Sequence, residues 1–196
     1  GNTLTADYAD PEAGMTARLQ VRLEGIKSVW QLTISNGGSQ TSEIMPVFPN
    51  ISGIGLSRQT GQMLIMNQAG HVGDIWAHRG GVYGVTFHNS AQFGCLFEDQ
   101  ACLGFYVADD HFGPKDIRYQ DPAVSVRWFK SVRLQPGQSL TLPETVLLVY
   151  GGSWKQTAVA YGDWFRAAVK PLPTPDWVRR LDAYTGVWAE KKSSEE

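Results

Sequence analysis

The sequence predicts a mainly all-β protein, an antiparallel β-sandwich with one C-terminal helix. Three observations carry this. Apolar and polar residues alternate with period two through residues 17–35. Gly, Pro and Asn turn signals punctuate the chain between short apolar runs, which number about nine or ten. Helical periodicity occurs in strength only once, after residue 153.

In ARLQVRLEGIKSVWQLTIS, Leu19, Val21 and Leu23 alternate with Gln20, Arg22 and Glu24, and Trp30, Leu32 and Ile34 alternate with Gln31 and Thr33. Two such runs around a Gly-containing turn read as a hairpin with one buried and one wet face. Asn36-Gly37-Gly38-Ser39 is the next turn. EIMPVFPNI carries Pro46 and Pro49, which confine it to an edge or an extended crossing. GQMLIMNQ reads as a strand. GHVGDIWAHRGGVYG, residues 70–84, is a long glycine-rich stretch of the kind that is usually functional. VTFHN, QFGCLFE and CLGFYVAD resume the strands, with a turn around Glu98–Gln100. DDHFGPKD is a polar turn, in which Asp110 is expected to cap backbone N–H groups. VSVRWFKSVRL is read as one strand, QPGQ as a tight turn, and LTLPETVLLVYGG as a strongly apolar strand with Pro143 near its start. Ser153 is the expected N-cap of WKQTAVAYGDWFRAAVK, whose Trp154, Ala158, Tyr161, Phe165 and Ala168 form one stripe. Pro171 ends that helix, and PLPTP is a stiff tether. The expected organisation is a β-sandwich over 1–152, a linker helix over 153–170, and a proline-containing junction over 171–196.

The 196 residues suffice for a real core without metal or disulfide staples. A net charge of −2 gives no electrostatic case for nucleic acid or an anionic membrane. No apolar run approaches the roughly 20 residues that span a bilayer. The start, GNTLTADYADPEAGM, lacks a basic segment followed by an apolar one, so no signal peptide is read there. The absence of Met suggests a trimmed start; the compartment stays open, with a periplasmic or extracellular setting favoured. Cys95 and Cys102 allow either a short bridge across a hairpin or two buried thiols.

Catalytic templates mostly fail. There is no phosphate loop and no GxSxG elbow. The four histidines, at 71, 78, 88 and 111, lack helical metal spacing, and no metal or cofactor is expected. Glycoside hydrolysis needs two acids flanking the scissile bond, but Glu98/Asp99 and Asp109/Asp110 are neighbours that point to opposite faces on a strand. Aromatics remain. Exposed Trp and Tyr rings offer flat apolar platforms to sugars, although any one ring is more often core. Trp76 beside His78 is the least core-like, whereas Trp30 and Trp128 read as core. The candidate carbohydrate-binding residues are Trp76, His78, Tyr83, Asp110 and His111.

Several stretches resemble one family in order. TSEIMPVFPNISGI is similar to a "v.FP.i.gi" segment. QFGCLFEDQACLGFYVADDHFGPKDI is similar to a strand pair leading into an Asp-containing turn and a lysine, although GFYVADD stands where the pattern has GLY followed by His-Asp. RLQPGQSLTLPETVLLVYGGSWKQTAVAYGDWFRA is similar to "l.pG.s..lP..vl…GdW..aa..Y..W". Together they resemble the N-terminal β-sandwich domain of large bacterial glycoside hydrolases, related to the galactose-mutarotase-like supersandwich. The resemblance implies that a (β/α)₈ catalytic barrel follows. It also implies that the catalytic carboxylates lie on that barrel and that this chain carries no catalytic residue. The expected role is thus a non-catalytic domain that packs on the barrel and contributes to the glycan cleft. Two alternatives are a free-standing carbohydrate-binding module and a small sugar epimerase or lyase using His71, His78 or His88. Trp177 and Trp188 are expected to face a neighbour that follows the tether.

Overall fold

The computed structural model describes residues 2–57, 59–67, 70–74, 82–83, 89–113, 115–119, 123–128, 131–170, 173 and 176–179. The strands are β1 (Thr3–Asp10), β2 (Met15–Glu24), β3 (Lys27–Asn36), β4 (Ser42–Ile44), β5 (Val47–Ile51), β6 (Gln62–Asn67), β7 (His71–Asp74) and β8 (Val82–Tyr83). They continue with β9 (Asn89–Glu98), β10 (Ala101–Ala108), β11 (Lys115–Tyr119), β12 (Val124–Trp128), β13 (Val132–Leu134), β14 (Ser139–Thr141) and β15 (Glu144–Tyr150). Two helices follow, α1 (Lys155–Ala168) and the short α2 (Asp176–Arg179).

A nine-stranded sheet runs β1-β2-β3-β15-β10-β9-β6-β7, with β14 also on β3, and every pairing is antiparallel. A four-stranded sheet, β5-β12-β11-β8, faces it, and β13 pairs with β4. This is the predicted sandwich, with open sheets. Between the sheets lie Phe48, Met63, Ile65, Leu96, Phe105, Val107, Ile117, Val124, Val126, Trp128 and Leu147. Residues of the opposite parity on the same central strands, among them Leu64, Cys95, Phe97, Tyr106, Val146 and Leu148, pack under α1. The middle of the large sheet is therefore buried on both faces. That is why MLI on β6 and VLL on β15 are continuous apolar runs rather than alternating ones. The outlying β2 and β3 do alternate, because α1 does not cover their outer face.

Punctuation explains most element boundaries. Gly25 at φ 64° closes the β2–β3 hairpin, and Gly137 at φ 79° follows Pro136 in the QPGQ turn, where Gln138 N–H donates to Gln135 O at 3.0 Å. Pro49 lies on β5, an edge of the small sheet, as its missing N–H requires. Asn36 is buried: its Oδ1 accepts from Gly38 N–H, and its Nδ2 donates to the Gln40 and Leu134 carbonyls.

Several expectations change. β1 continues the hairpin into a three-stranded meander that the reading above omits. VSVRWFKSVRL is two strands in different sheets. LTLPETVLLVY divides at Pro143 into β14 and β15, both on β3. Trp154, not Ser153, occupies the helix cap position, and no side chain caps it. The stripe of α1 is Trp154, Ala158, Tyr161 and Phe165 with Thr157, Ala160 and Trp164 added, while Ala168 is exposed. Cys95 and Cys102 are free and buried. The register sets Cys95 opposite Gly104 and Cys102 opposite Phe97. That is a diagonal of about 7–8 Å, longer than the roughly 4.4–6.8 Å between α-carbons in a disulfide. The region 171–196 lies outside the described residues except for Pro173 and α2.

Candidate functional site

The turn between β10 and β11 is built on a buried ion pair. Asp109 directly follows β10 at 3% exposure, and Lys115 opens β11 at 1%. One Asp109 oxygen, Oδ1, accepts from His111 N–H at 3.1 Å; Oδ2 accepts from Gly113 N–H at 2.8 Å and from Lys115 Nζ at 2.7 Å. Lys115 Nζ also donates to Gly113 O at 2.8 Å and to Gln92 Oε1, while Gln92 Nε2 donates back to Asp109 O at 2.9 Å. The ammonium sits 5.0 Å from the centre of the Trp128 ring. Burial pushes the Lys115 amine below its ordinary value, and the Asp109 carboxylate opposes this. An ammonium has three protons, and here each has an acceptor. The ammonium therefore has no proton left to offer a substrate, and the pair fixes the turn instead. Sequence reasoning gave the capping role to Asp110; the structure gives it to Asp109, whose side chain points inward while Asp110 points out.

What the clip presents to solvent is Asp110, His111 and Phe112. His111 Nε2 lies 3.9 Å from Asp110 Oδ1, with the imidazole 93% exposed. Phe112 has a φ of 51° and is 42% exposed, and its ring meets Phe165 of α1 edge-on at 6.1 Å. The tip thus offers a carboxylate, an imidazole and part of an aromatic ring. Tyr83 is on β8, where its backbone pairs with Ile117 two residues into β11. Asp110 and His111 thus lie on the turn before β11, and the backbone of Tyr83 pairs further along that strand, at Ile117. Trp76 and His78 lie outside the described residues. Phe93, another ring near the glycine-rich stretch, is core under α1.

Two groups went unremarked in the sequence. Asp116 is fully buried; its Oδ2 accepts from Arg118 Nε at 2.8 Å, and its Oδ1 has no hydrogen-bond partner among the described residues. On the outer face of the large sheet, Asp7, Thr16, Arg18, Thr33 and Ser35 line a shallow hollow of about 480 Å³, with Asp7 and Arg18 paired at 2.7 Å. Their alternation with Leu19, Leu32 and Ile34 is the signal that places them on one polar face. Among the described residues, no group of three or more His, Cys, Asp and Glu side chains could hold a metal ion.

No family model matches the sequence, and no curated protein does. Solved structures do match the fold. The GH36 alpha-galactosidase AgaA from Geobacillus stearothermophilus aligns with a TM-score of 0.58 at 14% identity, over 84% of this chain and 26% of that chain. The chain has the fold of part of a GH36 alpha-galactosidase. The alpha-galactosidase from Lactobacillus brevis gives 0.56 at 13% identity, over 84% and 25% of the two chains. The galactosidase domain of the alpha-galactosidase-sucrose kinase AgaSK gives 0.54 at 16%, over 76% and 24%. The chain spans about a quarter of the length of each. The fold that the motif order implies is thus the fold observed.

Proposed function

We propose that this chain is a non-catalytic β-sandwich domain of a glycoside hydrolase, packing on a catalytic (β/α)₈ barrel of the same parent chain and lending a surface to its glycan cleft. One observation carries the reading: the fold accounts for 84% of this chain but only 26% of an alpha-galactosidase. The site chemistry supports it. The buried Lys115–Asp109 pair is fully engaged in holding a turn, which suits a positioning role rather than a catalytic one. The exposure of Trp177 on α2, 67%, agrees as well. An aromatic so placed suits contact with a neighbouring domain.

Within this reading Asp110, His111, Trp76, His78 and Tyr83 are the candidate contacts for sugar. Mass spectrometry of the native gene product tests the proposal. The expected polypeptide is several times heavier than the 21.6 kDa of these residues and hydrolyses a glycoside that the 196-residue chain alone does not. A native product of 21.6 kDa would sink the idea.

A further inference from the structure

β1 is the terminal strand of the large sheet, and among the described residues nothing pairs with its outer edge. Folded proteins ordinarily guard such an edge by shortening it, bulging it, or placing Pro or Lys on it, because free N–H and C=O groups invite another strand. β1 has none of these guards. It runs eight residues, TLTADYAD, in unbroken register from Thr3↔Arg22 to Asp10↔Met15. Its two acids are already engaged, Asp7 by Arg18 and Asp10 by the N–H groups of Glu12 and Ala13. Leu4 and Tyr8, on its apolar face, are each 59% exposed.

We propose that this edge pairs with the same strand of a second copy of the chain, antiparallel, about a two-fold axis through Ala6. The backbone selects that register. Leu23 N–H donates to Asn2 O at 2.8 Å, so even-numbered residues of β1 point their backbone groups at β2. By alternation, Thr3, Thr5, Asp7 and Ala9 point theirs outward. An antiparallel two-fold pairing must then set odd residues opposite odd ones, which leaves axes at Thr5, Ala6 or Asp7 near the centre. An axis at Asp7 opposes two carboxylates, which is destabilising. An axis at Thr5 leaves Asp10 without a partner and sets Tyr8 against Asn2. An axis at Ala6 uses the whole strand. Thr3 exchanges backbone hydrogen bonds with Ala9 of the second copy, and Thr5 with Asp7, whose carboxylate also accepts the threonine hydroxyl. Leu4 then meets Tyr8 at a non-hydrogen-bonded position, where side chains approach most closely. The strand is complementary to itself without opposing like charges, as an isologous contact requires. That self-complementarity favours a second copy over an unrelated strand.

Sedimentation of the 196-residue chain at about 0.1 mM, far above a micromolar dissociation constant, tests this. The expected species has twice the 21.6 kDa chain mass. Thr5→Pro removes an outward N–H that no described strand of the same chain uses; it should yield monomer with the melting temperature that the wild-type chain shows when diluted to monomer. A second variant tests the register. Ala6→Cys should form a covalent dimer under mild oxidation, whereas Leu4→Cys, off the axis, should not. A monomeric wild-type chain overturns the proposal and hands the edge to another part of a longer protein. A dimer that survives Thr5→Pro, or that fails to cross-link through position 6, overturns it equally.

Discussion

Lys115 brings three ammonium protons to Asp109, Gln92 and Gly113, and its neighbour Trp128 closes the site over them. Removing the cation leaves a carboxylate at 3% exposure with only two backbone N–H donors. Breaking one side of a buried pair costs about 3–5 kcal/mol, far more than an exposed pair is worth. Lys115→Met should therefore lower the stability read from urea denaturation by about 3 kcal/mol, and adding Asp109→Asn should restore part of that. A loss below about 1 kcal/mol would show that water already reaches the pair. At this scale the sequence was half legible. An Asp-rich turn and a following lysine stood out in DDHFGPK, but which of two adjacent acids turned inward depended on β10 ending at Ala108. Nothing local marks that boundary.

Helix α1 docks on β10 through one close approach. A Cβ built on Gly104 would lie 1.7 Å from Thr157 Oγ1, so only glycine lets the helix sit there. Thr157 is held in turn: its N–H donates to Tyr150 Oη at 3.1 Å, the two hydroxyls share a hydrogen at 2.7 Å, and the Cys102 thiol donates to Tyr150 Oη at 3.2 Å. Gly104→Ala should cost about 3 kcal/mol by chemical denaturation, since the obstacle is a buried side chain with no room to retreat. An effect under about 1 kcal/mol would mean that the helix rides less tightly on the strand. The strands with alternating or continuous apolar runs were readable because periodicity reports which faces are buried. β1 has the same alternation, Leu4, Ala6 and Tyr8 against Thr5 and Asp7, in a shorter run. Pro143 told of a strand start, but not that β14 and β15 would share one partner. Pairing between segments far apart in sequence leaves no local trace.

Across the molecule, several acids that are neutral when folded are buried. The Cys102 sulfur and burial push the Cys95 thiol up, burial and Cys102 push Tyr150 up, and burial pushes Tyr106 and Tyr161 up. Such groups keep their protons after the unfolded chain has lost them. The stability that the three tyrosines contribute is complete below their ordinary value, about 10, and falls as pH rises beyond it. Urea midpoints should therefore decline as pH rises above about 10, where the unfolded tyrosines ionise and the buried ones do not. Tyr106→Phe keeps the ring against Trp164 and should flatten that decline while changing little at neutral pH. A curve as steep as wild type would show that Tyr106 titrates normally. The large sheet has a further consequence, one of time. β3 borders β14 and β15, and Thr33 bonds Thr141 across 108 residues of chain. A ribosome adding roughly 5–20 residues per second needs about 5–20 s to cover that separation. For those seconds the first three strands wait with one flank of β3 bare. The early hairpins therefore leave the ribosome with an unpaired strand edge and stay so until the late strands arrive.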